Sequence, residues 1–227
     1  MPQTLKQEVK LKIYNAALLL FAEHGYQATT MSQVAQRAGI ATGNIYKYYT
    51  NKATLFDAII TPQFVAKFKR LSYKRVAKLI QPDDLQQSES MTKNEAGELL
   101  NFWIKHRLQV IILLARAQGS IYQDFYTQYL KAMTKQTMSQ LPQAQPKLKN
   151  DDVFKLTFDN RLADTVRGIV SILQAFDTEE KITAAFAASL LPITSMLSGE
   201  GPISVNPASF TFLAKSAFSL KKPYPGW

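Results

Sequence analysis

Apolar positions recur at intervals of three and four along most of this chain. No stretch alternates with the period of two that a half-buried strand requires. The expected fold class is all-α. A first helix is predicted over Glu8–His24, with Ile13, Ala16, Ala17, Leu20, Phe21 and His24 on one side and Gly25 as its stop. Met1–Gln7 precedes it as a frayed arm. Thr30 reads as an N-cap, and Gln33 three residues on completes a capping box. The helix they open spans Met31–Ala38, turns Val34 and Ala35 inward, and ends at Gly39, where glycine readily takes a positive φ. A second short helix, Thr42–Tyr48, follows. Ala35, Gly39 and Ile45 give the order small, glycine, apolar that a helix-turn-helix needs. Asn51 is the N-cap of a fourth helix, Lys52 lies in its first turn, and Leu55, Phe56, Ile59 and Ile60 tie it back to the small core.

Beyond Pro62, which marks a break or a new start, the pattern describes a larger helical region. Pro62–Ile80 sets Phe64, Phe68, Leu71, Val76 and Leu79 against six basic residues. Gln81–Thr92 is a polar connection. Glu95–Ala117 reads as helix, whole or bent into two, and its Val110–Leu114 run predicts burial on most sides. After Gly119 an aromatic helix extends over Ile121–Leu141, and Pro142–Asn150 is a loop. Asp152–Phe176 carries the stripe Leu162, Val166, Ile169, Leu173 and Phe176. Thr178 caps a last long helix whose face holds Ile182, Phe186, Leu190, Ile193 and Leu197, with a kink at Pro192. Ala208–Leu220 is a short terminal helix ahead of a loose tail.

Composition narrows the function. The 227 residues, 46% hydrophobic, suffice for a small domain and a larger one. With no cysteine there are no disulfides or thiolate metal sites. The chain has no basic start leading into an apolar run, as a signal peptide would, and no apolar run long enough to span a bilayer. The net charge is +10. Residues 1–80 hold twelve Lys/Arg and three Asp/Glu, against fifteen and fourteen in residues 81–227. The basic end coincides with the helix-turn-helix, the electrostatic footprint of a polyanion binder. No G-x-S-x-G, phosphate loop, cysteine nucleophile or metal-ligand cluster supports an enzyme, and the two histidines stand far apart. Asp151 and Asp152 read as a helix start.

The helix over Thr42–Tyr48 is poorly composed for packing alone. Gly43 and Asn44 are weak helix formers, and Tyr46, Lys47, Tyr48 and Tyr49 crowd together. Against DNA the same residues make sense: glycine admits close approach, tyrosine and lysine bond phosphate, and asparagine reads a base edge.

From Val9 to Ile60 the chain resembles the DNA-binding domain of the TetR family of bacterial regulators. The resemblance is carried by Leu20-Phe21-Ala22-Glu23-His24-Gly25-Tyr26, Ala28-Thr29-Thr30, Val34-Ala35-Gln36-Arg37-Ala38-Gly39, Gly43-Asn44-Ile45-Tyr46-Lys47-Tyr48-Tyr49 and Asn51-Lys52 with Leu55. Tyr49 stands where phenylalanine is commoner, and Ala53-Thr54 replaces the usual acidic residues. The resemblance implies a helix-turn-helix domain over residues 1–60 and a helical ligand-binding and dimerisation domain over 61–227. It implies phosphate contacts from Thr30, Tyr46, Tyr48 and Lys52, with Thr42, Asn44 and Lys47 facing bases or phosphates and Gly43 admitting the duplex.

It further implies a cytoplasmic homodimer on a palindromic operator of double-stranded DNA, released by an apolar or amphipathic small-molecule effector, with no cofactor and no membrane contact. Candidate effector-pocket residues are Trp103, His106, Arg107, Tyr122, Phe125, Tyr126 and Tyr129. Candidate dimer residues are Leu162, Val166, Ile169, Leu173, Phe186, Leu190 and Ile193. The competing reading is a DNA organiser without an effector.

Overall fold

The computed structural model describes residues 3–79, 95–144 and 151–189, and among these every regular element is helical. In chain order they are α1 (Gln3–Ala28), α2 (Met31–Arg37), α3 (Thr42–Ile45), α4 (Lys52–Ile59), α5 (Pro62–Leu79), α6 (Glu95–Lys105), α7 (Arg107–Ala115), α8 (Phe125–Ala144), α9 (Asp152–Ala175) and α10 (Glu179–Ser189). The fold is all-α, with an N-terminal helix-turn-helix and a larger helical region after it. The expected polar connection over 81–92, the kink at Pro192 and the terminal helix over 208–220 lie outside the described residues.

The helix ends follow the local chemistry. Thr30 and Gln33 form the expected capping box on α2, and Asn51 forms a second with Thr54 on α4. Asp151 caps α9 by accepting from the Phe154 N–H at 2.9 Å. Gly39 takes φ +68 just after α2.

Three expectations are corrected. The segment expected as a frayed arm is helical from Gln3. Helix α3 closes at Ile45, and the chain runs on to Tyr48 in tighter turns, with Lys47 N–H on Asn44 O (3.2 Å) and Tyr48 N–H on Ile45 O (3.0 Å). Gly43 and Asn44 leave too little helix propensity to hold a full α-helical span there. Helix α8 continues through Pro142 to Ala144, and because the proline stands in the last turn, the bond it removes and the distortion it imposes leave little further helix to disturb. The long apolar segment does divide, at His106 (φ −114, ψ 30), into α6 and α7.

The chain separates into two compact units, Met1–Arg70 with Lys105–Lys131, and Leu71–Ile104 with Ala132–Trp227. In the first, Ile13, Ala17, Phe21, Val34, Ala35, Ile45, Leu55, Phe56 and Ile59 build the core of the helix-turn-helix. Phe56 meets Phe21 and Tyr26 edge-on at 5.4 and 4.8 Å. Helix α7 packs on α1, with Val110, Ile111, Ile112, Leu113 and Leu114 all buried. The Tyr26 N–H bond to Arg116 O (2.9 Å) reinforces this, and Gln109 Nε2 ties α7 to α4 by donating to Ile59 O (3.1 Å).

In the second unit, α9 and α10 pack as a pair around Leu162, Val166, Ile169, Leu173, Ile182 and Phe186. Thr134 of α8 donates to the Asp159 carboxylate of α9.

Candidate nucleic-acid interface

Helix α3 is presented to solvent along almost its whole length. Ile45, 0% exposed, is its anchor in the core. Thr42, Gly43, Asn44, Tyr46 and Lys47 are all exposed, and Tyr48 is half-buried. Tyr46 leaves half of its surface in water, an unusual position for a large ring with no role. A Cβ built on Gly43 would meet nothing within 4 Å, and its φ is not positive. The fold therefore does not require glycine at this position.

Thr30 is exposed, and its hydroxyl is already engaged in the α2 cap: Oγ1 accepts from Gln33 N–H at 3.2 Å and lies 3.0 Å from Gln33 Oε1. Tyr49 is buried against the small core, and burial, then the neighbouring Tyr14, push its phenol pKa up. Lys10 of α1 sits over its ring at 5.9 Å, which places a basic group of α1 beside the end of the helix-turn-helix.

Lys52 is placed differently from the expectation of a free phosphate ligand. Its Nζ donates to three backbone carbonyls, Tyr26 O at 2.7 Å, Thr29 O at 2.9 Å and Gln27 O at 3.2 Å, and lies 4.4 Å from the centroid of the Tyr26 ring. All three protons of the ammonium are taken. Burial lowers its pKa from the ordinary lysine value, while the carbonyls favour the charged form. In this structure Lys52 pins the start of α4 to the α1–α2 junction.

Three further residues, which the sequence offered only as part of the resemblance and without a role, hold that junction. Thr29 is buried and donates to Gly25 O at 2.8 Å. Glu23 of α1 grips Arg37 of α2 with both carboxylate oxygens, at 2.7 and 3.1 Å. A carboxylate and a guanidinium fourteen positions apart give no periodic signal, so only the fold reveals the pair.

The expected effector residues divide between the units. In the first, Phe125 stacks on Tyr129 at 6.0 Å and meets Tyr122 edge-on at 6.4 Å, and Phe68 packs on both Phe125 and Tyr129. These rings fill core space against one another. Tyr126 and Arg107 are half-buried, and His106 is held by Gln109 at 2.9 Å and by the Phe64 ring. In the second, Trp103 packs on Phe186 at 5.4 Å with its Nε1–H unpartnered. Of the expected dimer residues, Leu162, Val166, Ile169, Leu173 and Phe186 are at most 9% exposed within the single chain. Leu190 and Ile193 lie outside the described residues. Among the described residues no helix is long and apolar enough to cross a membrane.

Residues 13–59 match the family model of the bacterial regulatory proteins, tetR family. Similar curated proteins include an uncharacterised HTH-type transcriptional regulator, YhgD, of Bacillus subtilis, 46% identical over 52 residues, 23% of this chain and 27% of that protein. The HTH-type transcriptional repressor KstR of Rhodococcus jostii is 34% identical over 59 residues, 26% of this chain and 28% of its own. The match thus spans under a third of either relative. Among solved structures, a putative fatty acid metabolism regulator from Clostridium perfringens aligns at TM-score 0.42 and 16% identity, over 85% of this chain and 100% of that one. The fatty acid degradation regulator FadR of Bacillus halodurans aligns at TM-score 0.40 and 20% identity, over 84% and 95%. Over residues 13–59, about the span of its amino-terminal helix-turn-helix, this chain is similar to the bacterial regulatory proteins of the tetR family.

Proposed function

We propose that this chain is a transcriptional repressor that binds a palindromic operator in the cytoplasm as a homodimer and leaves it when a small molecule binds. The observation that carries the DNA contact is Gly43: it is exposed, unhindered and on a helix, where alanine would serve the fold better. A glycine kept against propensity on a basic surface fits a backbone that a duplex approaches closely. Thr42, Asn44 and Lys47 then face base edges or phosphates, and Tyr46, Tyr48 and Thr30 hold the backbone. Lys52 acts as a positioning residue that sets the angle of α4.

Two such heads on a two-fold axis would enter successive major grooves of a palindrome. The second copy would pack on α9 and α10. Because the Leu162–Leu173 stripe is already buried in the chain, the partner would meet the flanking positions Thr165, Gly168 and Ile172. Gly168 is open to within 4 Å, as a close helix crossing requires.

Release follows if the effector prefers the conformation that mis-spaces the heads. DNase protection of the DNA flanking the gene, repeated with candidate effectors, tests the reading. One short palindrome protected, and lost with an effector, supports it. Scattered protection across the chromosome contradicts it.

A further inference from the structure

The second unit contains buried polar atoms that the fold leaves without partners. On α8, Thr137 is 0% exposed and its hydroxyl has no hydrogen-bond partner, and the Oε1 atoms of Gln136 and Gln140 are likewise buried and unmet. The three positions fall within about one turn and lie along one side of the helix. On α9, Thr157 and Thr165 return the hydroxyl to the carbonyl four residues back, Val153 O (2.8 Å) and Arg161 O (2.9 Å), and Thr134 of α8 gives its own to Asp159. Thr137 does neither. The Gln136 amide is oriented by its own bond, since Nε2 donates to Tyr73 O of α5 at 3.0 Å and Oε1 must point away. Trp103 in the same unit adds an unmet N–H.

Such groups are costly. Met133 and Leu141, on either side of Thr137, are both 0% exposed, so an apolar residue at position 137 would continue the stripe. A polar edge kept inside an apolar face is explained by a guest that completes it. Two glutamine oxygens can only accept, so the guest must bring an O–H or N–H donor.

It must also be uncharged. The fully buried polar side chains of this unit, among the described residues, are Ser72, Thr134 and Thr137, all neutral. The Asp159 carboxylate beside Thr134 is already engaged by Thr134 and Lys155, so an ion placed here would be desolvated without a free counter-charge. The half-buried Arg75 and Lys78 of α5 already have partners.

We propose that the Gln136–Thr137–Gln140 edge of α8 is an effector subsite for a neutral amphipath that carries a hydroxyl or amide donor on an apolar body. This rests on the reading of the chain as effector-responsive and names the class of effector.

Calorimetric titration of the full chain with n-octanol, methyl octyl ether and octanoate tests it. The alcohol should bind about tenfold or more tightly than the ether, which lacks the donor, and than the carboxylate, which is charged. Thr137→Val should weaken the alcohol about tenfold while raising the thermal midpoint of the ligand-free protein, and Gln140→Leu should do the same. Equal affinity for the three probes, no binding of the alcohol, or a Thr137→Val protein of lower midpoint and unchanged affinity would each overturn the subsite. Alcohol that binds as expected yet leaves operator DNA bound supports the subsite and counts only against the regulatory reading.

Discussion

At the scale of single residues, Gly43 and Lys52 separate what the fold needs from what the function needs. Gly43 touches nothing that a methyl group would displace, and it sits in α3. Gly43→Ala should therefore stabilise the free protein by up to about 1 kcal/mol, the usual propensity gain. The same methyl group should weaken operator binding at least tenfold, because it stands where the duplex backbone would come. Chemical denaturation and DNA titration of one variant measure both effects. Lys52 should show the reverse balance. Lys52→Met leaves the carbonyls of Tyr26, Gln27 and Thr29 without their donor and should cost about 1–2 kcal/mol of stability, read from a denaturation midpoint. A stability unchanged by this substitution would return the lysine to solvent and to phosphate.

At the scale of elements, the break within α1 that leads into α2 depends on one backbone conformation. Gly25 adopts φ +85 and ψ 163, a region that side-chain-bearing residues rarely enter. A Cβ there would find only ordinary contacts, the nearest being Arg116 O at 3.5 Å, so the penalty is in the backbone. Gly25→Ala should destabilise the first unit by about 1–3 kcal/mol. A second element contact is pH-sensitive. Burial raises the Asp159 pKa, but the bonds from Thr134 and Lys155 and the Lys155 charge outweigh it and bring the group below the ordinary aspartate value. An acid depressed in the folded state contributes stability above its unfolded pKa and loses it as pH falls through the folded one. Stability should therefore fall below about pH 4, and Thr134→Val should flatten that acid limb in denaturation curves.

Helix boundaries set by such local chemistry were largely legible in the sequence. Thr30 with Gln33, Asn51, Gly39 and Asp151 each act within one turn, and each stands where it was expected. The helix-turn-helix could be read because its signal is local. The Lys52 cage could not be, because its acceptors lie 23 to 26 positions back along the chain. The aromatic run over Tyr122–Tyr129 shows a complementary limit. Helical spacing says that these rings share a face, but not that Phe68 packs on two of them, Phe125 and Tyr129.

At the scale of the whole molecule, charge and geometry point the same way. Residues 1–80 carry nearly all of the net charge of +10, and α3 holds its exposed polar residues at that basic end. Binding driven by such a surface releases counterions and must weaken as salt rises. The central claim is that α3 lies in a duplex groove. The most direct test is the salt dependence of binding to the DNA flanking the gene, measured for the natural chain and for Lys47→Ala. The account predicts that log K falls linearly with log salt and that the variant lowers the slope by about one unit. Retention of no genomic fragment at low salt, or retention indifferent to salt, would contradict it.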